Sequence, residues 1–314
     1  MAATPAVSRR SVIVAGAATM AAASRANRPA GPLPVVATTS DLASLVAAVG
    51  GDLVHVRTLV PPQSDPEAFE PRASDLAMLS GAQLIVRVGL GQDFWLGPLL
   101  ARMHGTAARP AAAPVVDASA GVPLLEVSGR DPLARDGHAH AMANPHYGLD
   151  PANAEAITAN IAAAIVQLVP QAHDTVMAHR ARFVARLRDG MAAWAKQLDP
   201  HRGAAVMAYH NSWPYFARRF RLNVVGFVEP KEGVAPSAAH LSSLMALARR
   251  ARVRAILQKT NEPRRLCDIV SAQTGIPVAL LAPGVGSVPQ AGDYLGFMAY
   301  NVAAVADVLR ASER

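Results

Sequence analysis

A carboxylate and two imidazoles stand in three loop segments that could together bind a divalent metal ion. Glu67, His146 and His210 are separated by long stretches of chain, and prolines next to Glu67 and His146 restrict the backbone there. Imidazole nitrogens and carboxylate oxygens are common zinc ligands, and a carboxylate also suits harder ions. The sequence therefore predicts a metal site if the fold brings these three segments into one crevice.

These segments must be positioned by elements that alternate between strand-like and helix-like runs, which indicates parallel sheets with crossover helices. Because the alternation occurs twice, we predict an α/β protein with two lobes, each a parallel β-sheet flanked by helices. Ligands of such sheets bind beyond the carboxyl ends of the strands, where Glu67 and His210 lie. The strand-like runs are residues 33–38, 53–60, 84–88 and 114–117, then 204–209, 222–228, 253–257 and 277–281.

A long helical stretch separates the two halves of the chain. From about Gln171 to Gln197 the apolar side chains follow helical spacing, with Gly190 as the one glycine. A helix of about 27 residues is about 40 Å long, enough to span two lobes and limit their hinge motion. We therefore expect a first lobe at residues 27–170, a rigid linker helix at 171–199 and a second lobe at 200–314.

Residues 1–26 have the layout of a bacterial export signal. Arg9 and Arg10 precede an uncharged apolar run at residues 12–23, and small residues follow up to Ala26. Ser8 and the two arginines resemble a twin-arginine signal, which predicts a periplasmic protein. A short membrane anchor is the alternative, but the run is too short to cross about 30 Å of hydrocarbon comfortably.

Composition excludes several classes of protein. The 314 residues are 51% apolar and 17% charged, which excludes a disordered chain, and the single cysteine, Cys267, excludes a disulfide scaffold. Residues 1–26 hold three arginines and no acidic residue, so their removal lowers the formal net charge from +7 to +4. That remaining charge is dispersed along the chain, so we expect no nucleic-acid partner.

A set of motifs extends over essentially all of the chain after the export signal. The motifs are Val36–Ser40, Asp65–Pro71, Gly89–Gly91 with Trp95–Leu96, Asn144–His146, Leu149–Pro151, Tyr209–His210, Asp293–Leu295 and Tyr300–Val302. With these motifs the chain resembles the periplasmic metal-binding proteins of zinc and manganese ABC importers, of the cluster A-I type. The resemblance implies two α/β lobes joined by a long rigid helix, with a metal buried between them. It also implies delivery of the metal, zinc first and manganese as the alternative, to the membrane subunit of an ABC permease, and we expect a monomer.

The ligand set that the resemblance implies is incomplete in this chain. His146 and His210 match the second and third ligands of the family, whereas Glu67 stands where the family usually has a histidine. The usual fourth ligand is an acidic residue, and Ala282 occupies that position. Two neutral imidazoles and Glu67 would leave a net charge of +1 on a bound divalent ion.

A nearby carboxylate could replace the missing fourth ligand. Glu229, after the second strand-like run of the second half, is the first candidate, Glu262 after the third run is the second, and water is the third. The ordinary alternative for both glutamates is a solvated or helix-capping carboxylate. His138 and His140 lie in an irregular loop, where a metal-collecting role competes with a simple solvated loop.

Two other functions compete with metal capture for import. Two histidines, one glutamate and an open position also make a catalytic zinc pattern, in which the metal activates water. The chain has no H-E-x-x-H motif to support a zinc-dependent hydrolase, so we expect no enzyme. Because Ala282 stands where the family usually has an acidic ligand, the other alternative is an accessory protein that kept the fold and changed its ligand.

Overall fold

The structure is a computed structural model of the chain that describes residues 31–104, 113–126, 143–231 and 233–313. The predicted export signal and the pair His138 and His140 lie outside the described residues. Among the residues described, no helix combines the length and the apolar character needed to cross a membrane.

The first sheet has four parallel strands in the spatial order β2-β1-β3-β4. Its inner strands are rich in valine, isoleucine and leucine because helices cover both faces. Its apolar outer face packs under α2 and α3. The strands are β1 Leu33–Ala37, β2 Val54–Thr58, β3 Leu84–Arg87 and β4 Val115–Asp117, and the helices are α1 Ser40–Gly50, α2 Ala73–Ser80 and α3 Leu96–His104.

Two helices connect this sheet to the second one, α4 Ala154–Leu168 and α5 His173–Leu198. The α5 helix has 26 residues and is therefore about 39 Å long at 1.5 Å per residue. Its apolar stripe is buried as the sequence spacing predicts, with Phe183, Leu187 and Trp194 facing the core. The long helix between two α/β halves is thus confirmed.

The second sheet repeats the first, with four parallel strands in the order β6-β5-β7-β8. Its outer face packs under α7 and α8, where the lone Cys267 is a buried core residue. The predicted class, two parallel sheets flanked by helices, is therefore confirmed. The elements are β5 Ala205–Ala208, α6 Pro214–Phe220, β6 Asn223–Phe227, α7 Ala238–Arg250, β7 Ala255–Lys259, α8 Arg264–Thr274, β8 Val278–Leu281 and α9 Tyr294–Ala311.

One continuous apolar cluster joins the two halves. Helix α5 packs against α1, α4 and α9, and α9 also contacts α1. Phe183 of α5 and Tyr294 of α9 meet with their ring centroids 6.3 Å apart. Since the halves share this packed core, the carboxyl edges of the two sheets are held close to one another.

A buried ion pair also ties the halves together. The Asp150 side chain, which is 2% exposed, accepts hydrogen bonds from Nε and Nη2 of Arg219 at 2.6 and 3.0 Å. Asp150 also caps the turn before α4 by accepting from the backbone N–H of Ala152. Arg219 belongs to α6, so one carboxylate fixes α6 against the segment that leads into α4.

Replacing Arg219 by methionine should destabilise the protein by roughly 1–3 kcal/mol, because it removes the bidentate partner of a buried carboxylate. Arg218, whose Nη2 lies 3.5 Å from the same carboxylate, still compensates part of its charge. Chemical denaturation measures the change. The matched control is Arg186→Met, since Arg186 pairs with Asp293 at 3.7 Å where both side chains are more than half exposed. An exposed pair contributes about 0–1 kcal/mol, so equal losses in the two variants would contradict the structural role of Arg219.

Candidate metal centre

The loop after β2 carries Glu67 and is fixed from two sides. The backbone N–H of Glu67 donates to Oδ1 of Asp65 at 3.0 Å. The indole of Trp95 donates to the carbonyl of Pro66 at 2.9 Å and packs edge-on against Phe69 at 4.8 Å. These contacts hold the Glu67 backbone at the carboxyl edge of the first sheet.

His146 begins a single 3₁₀ turn, His146–Leu149, that two tyrosine hydroxyls hold in place. Tyr215 of α6 donates to the carbonyl of Asn144 at 2.9 Å, and Tyr294 of α9 donates to the carbonyl of Gly148 at 2.7 Å. Burial raises the pKa of both hydroxyls, which keeps them protonated as donors. Two helices of the second half thus position a segment that the first half carries.

His210 and Glu229 follow the neighbouring parallel strands β5 and β6. The ladder between these strands continues past their ends, where Val228 N–H donates to the Ala208 carbonyl at 2.9 Å and Glu229 N–H to the Tyr209 carbonyl at 2.8 Å. This register places the Glu229 side chain beside His210, although the two residues are distant in sequence.

The four predicted side chains meet in the crevice between the two sheets. His146 Nε2 lies 3.6 Å from Oε1 of Glu67, and His210 Nδ1 lies 3.6 Å from Oε2 of Glu229. The two imidazole ring centroids are 6.3 Å apart. All four side chains are 11–14% exposed, so they form a partly buried row in which each imidazole faces one carboxylate.

The two imidazoles of this row lie farther apart than they would around a bound metal ion. Two imidazoles on one zinc ion at 2.0–2.1 Å have ring centroids about 5 Å apart, so these rings are about 1 Å too distant. Among the described residues, no three histidine, cysteine, aspartate or glutamate side chains already stand in a metal-holding arrangement. Capture of an ion would therefore require small side-chain rotations that draw the row together.

The other residues predicted near the fourth position have different partners. Ala282 is buried, and its backbone N–H donates to Oδ1 of Asn301 at 2.8 Å. Glu262 accepts from the backbone N–H of Lys259 at 2.7 Å and lies 3.5 Å from its ammonium nitrogen. Burial raises the pKa of Glu262 to about 7, against the opposing effect of Lys259. Glu262 thus makes its contacts within its own turn, whereas Glu229 faces a candidate imidazole.

Gln92 is a site residue that sequence reasoning missed. Its Nε2 donates to Oε1 of Glu67 at 3.4 Å, and the residue is 7% exposed. The preceding Gly89 and Gly91 have φ values of +78° and +91°, a conformation that favours glycine. The glycine pair was visible in the sequence, but nothing in its pattern indicates that the turn brings an amide to Glu67.

Asp93 holds the same turn in place by hydrogen bonds to residues at the ends of β1 and β3. Its carboxylate accepts from the Thr38 hydroxyl at 3.0 Å and from the backbone N–H groups of Val88 at 2.7 Å and Gly89 at 3.2 Å. Burial raises its pKa, and these hydrogen bonds oppose the increase. The turn that carries Gln92 is therefore anchored to the ends of β1 and β3.

A cavity of about 90 Å³ adjoins His146 and is lined by residues of both halves, including Asp41, Lys259 and Ala282. Asp41 lies in the first turn of α1 and is partly buried. Its Oδ1 accepts from the backbone N–H of Val285 at 2.7 Å, and burial raises its pKa to about 6. Asp41 therefore connects α1 to the loop after β8 across the crevice.

Comparison with known proteins assigns the family. The model of a family described as zinc-uptake complex component A, periplasmic, matches residues 35–308. The chain belongs to this family. It is a family of transport proteins that capture metal for import, so the hydrolase alternative is not retained, and its members function outside the cytoplasm.

Relatives and solved structures agree with this family assignment. The high-affinity zinc uptake system protein ZnuA of Yersinia pestis is 24% identical over 282 residues, covering 84% of this chain and 87% of that protein. The chain spans only 52% of the zinc-binding lipoprotein AdcA of Streptococcus pneumoniae, at 22% identity over 84% of its own length. A ZnuA crystal structure superposes with a TM-score of 0.74 at 27% identity, covering 90% of this chain and 98% of that one.

A further structure similar to this chain contains manganese. The solute-binding protein FpvC of Pseudomonas aeruginosa in complex with Mn²⁺ has a TM-score of 0.75 at 25% identity, covering 90% of this chain and 99% of that one. Relatives and similar structures thus include both zinc and manganese proteins, which establishes a divalent metal as the ligand of this class.

Asp41→Asn should stabilise the protein at pH 7.5 and lose this advantage towards pH 4.5. The folded protein raises the pKa of Asp41 from 3.8 to about 6, so the partly buried charge destabilises the fold above pH 6 by up to about 3 kcal/mol. As the pH falls from 6 towards 3.8, the carboxyl group is protonated in the folded protein before it is protonated in the unfolded chain, and this cost declines.

Thermal melting from pH 4.5 to 7.5 measures the effect. The exposed Asp52 supplies the control variant Asp52→Asn, a surface substitution that should change the free energy of unfolding by less than about 0.5 kcal/mol. If the melting temperatures of Asp41→Asn and the unmodified protein differ by the same amount over this whole pH range, the raised pKa of Asp41 is contradicted.

Proposed function

We propose that this protein captures a zinc ion between its two lobes and delivers it to an ABC permease. The observation that carries the proposal is the convergence of Glu67, His146, His210 and Glu229 from separate loops into one partly buried crevice. Zinc commonly takes four nitrogen and oxygen ligands. With neutral imidazoles, the two carboxylates would balance the charge of a divalent ion.

The two halves contribute the ligands in pairs. Glu67 and His146 precede the long helix α5, and His210 and Glu229 follow it. A bound ion would replace each imidazole–carboxylate contact within a half by bonds that span both halves. Since such bonds tie the edges of both sheets to one ion, metal would favour the arrangement in which the four ligands are drawn together, which is the form we propose the permease recognises.

Manganese is the second candidate metal. Glu67 adds an oxygen ligand, and a set of two oxygens and two nitrogens is harder than a three-histidine site. The similarity to the Mn²⁺ complex of FpvC supports this candidate.

We propose further that residues 1–26 direct export to the periplasm by the twin-arginine route and that the exported chain is a monomer. Its first lobe would comprise residues 27–170, its linker helix residues 171–199 and its second lobe residues 200–314.

Zinc should raise the melting temperature, and the variant with both His146→Ala and His210→Ala should lose this gain. Ligand at 100 times its dissociation constant stabilises a folded protein by about 2.7 kcal/mol. Scanning calorimetry with zinc, manganese and chelator measures the shift. His173→Ala is the control because His173 is 60% exposed. Identical melting with and without each metal would overturn metal capture.

Glu229→Gln should weaken metal binding at least about tenfold, because it removes a charged oxygen ligand, while Glu262→Gln should leave the affinity nearly unchanged. Competition with a chromophoric chelator measures both dissociation constants. The two substitutions make the same chemical change on neighbouring loops, so each controls for the other. The opposite ranking would assign the fourth position to Glu262, and no loss in either variant would leave water as the fourth ligand.

A further inference from the structure

Glu126, which lies beyond β4, contacts the loops of both candidate imidazoles. Its Oε2 accepts from Nδ2 of Asn144 at 3.0 Å and from Nδ2 of Asn211 at 2.9 Å. Asn144 precedes His146 by two residues, and Asn211 directly follows His210. The three side chains of this cluster, Glu126, Asn144 and Asn211, belong to residues that are at most 8% exposed, so the carboxylate acts where water competes little.

The carboxylate sets the orientation of the Asn144 amide. An amide presents a donor nitrogen on one side and an acceptor oxygen on the other, and an ionised carboxylate can only accept. The nitrogen of Asn144 must therefore face Glu126, where it also donates to the Asn211 carbonyl at 3.0 Å. Its oxygen is thereby turned towards His146.

The fixed amide oxygen selects one tautomer of His146. Oδ1 of Asn144 accepts from the His146 backbone N–H at 3.0 Å and lies 3.2 Å from His146 Nδ1. Because this oxygen can only accept, Nδ1 carries the hydrogen in the neutral ring. The other nitrogen, Nε2, then presents its lone pair on the side where Glu67 lies 3.6 Å away, which is the form a metal requires.

The same carboxylate acts on the second half through Asn211. Hydrogen bonds from the Asn211 side chain to Glu126, and from Asn144 to the Asn211 carbonyl, hold the residue next to His210 from both sides. The loop is closed by the Ser212 backbone N–H, which donates to the His210 carbonyl at 2.9 Å. One buried group thus orients the loops of two predicted ligands that come from different halves.

We propose that Glu126 is a positioning residue for metal capture, which holds His146 in its Nδ1–H tautomer through Asn144 and fixes the His210 loop through Asn211. This inference rests on the proposed function for its consequence, the metal affinity. Its structural part, the tautomer of His146, is a property of the metal-free protein and can be measured independently.

The first test replaces Glu126 by glutamine, which keeps the shape but removes the charge and can donate as well as accept. The orientation of Asn144 then depends on two uncharged partners, the Asn211 carbonyl and the His146 backbone N–H. Zinc affinity, measured by chelator competition, should fall about 10–100-fold. The ¹⁵N shifts of the His146 ring in metal-free protein at pH 8 should change from the Nδ1–H tautomer to a mixture. Glu155→Gln is the control, because Glu155 pairs with Arg188 on the surface.

A conservative variant separates orientation from packing. Glu126→Asp keeps the negative charge and the acceptor-only chemistry, and shortens the side chain by one methylene group. The Nδ1–H tautomer should persist, and the logarithmic loss of affinity should be at most about half of that in Glu126→Gln. A merely structural role predicts the reverse, because Glu126→Asp leaves a gap that the isosteric Glu126→Gln does not.

Three results would overturn the inference. They are an unchanged zinc affinity in Glu126→Gln, a loss of affinity with an unchanged His146 ring spectrum, and a Glu126→Asp variant that loses as much affinity as Glu126→Gln. If the unmodified protein binds no metal at all, the proposed function fails instead, while the ring spectra still decide whether Glu126 controls the tautomer.

Discussion

The site depends on one constraint, which is that charged side chains must leave bulk water and still keep a polar partner. A carboxylate moved into a crevice loses hydration and is tolerated only when it is paired. The Glu67 carboxylate therefore accepts from Gln92, and Glu126 accepts from two amides. These hydrogen bonds hold the Glu67 carboxylate and the loops of both imidazoles in place before any ion arrives.

The two halves are joined firmly around the crevice that holds these side chains. A shared apolar core, the long helix α5 and the Asp150–Arg219 pair restrict their relative movement. The hydroxyls of Tyr215 and Tyr294 hold the His146 segment from the opposite half. Small rotations of the ligands rather than a wide hinge motion are thus the adjustment that this architecture permits, consistent with ring centroids only about 1 Å farther apart than on a zinc ion.

The fold class could be predicted well from the sequence because it depends on local patterns. Strand and helix runs have different periods of apolar residues, and the stripe around Phe183 and Trp194 follows one face of a long helix. Glu67 and His210 follow strands, whose carboxyl ends parallel sheets place at one edge. The metal-binding class and the place of His146 followed instead from the motifs that resemble the family.

Contacts between distant residues could not be predicted in the same way. That Glu229 rather than Glu262 lies beside His210 depends on the register of β6 against β5, and both glutamates have the same kind of setting in the sequence. Glu126 lies in no motif that could indicate a role in the sequence, because that role depends on hydrogen bonds from the side-chain amides of two other loops. The sequence by itself determined which local elements form and which residue types could bind a metal. Only the tertiary structure decided their partners, because hydrogen bonds depend on distances and directions that packing sets.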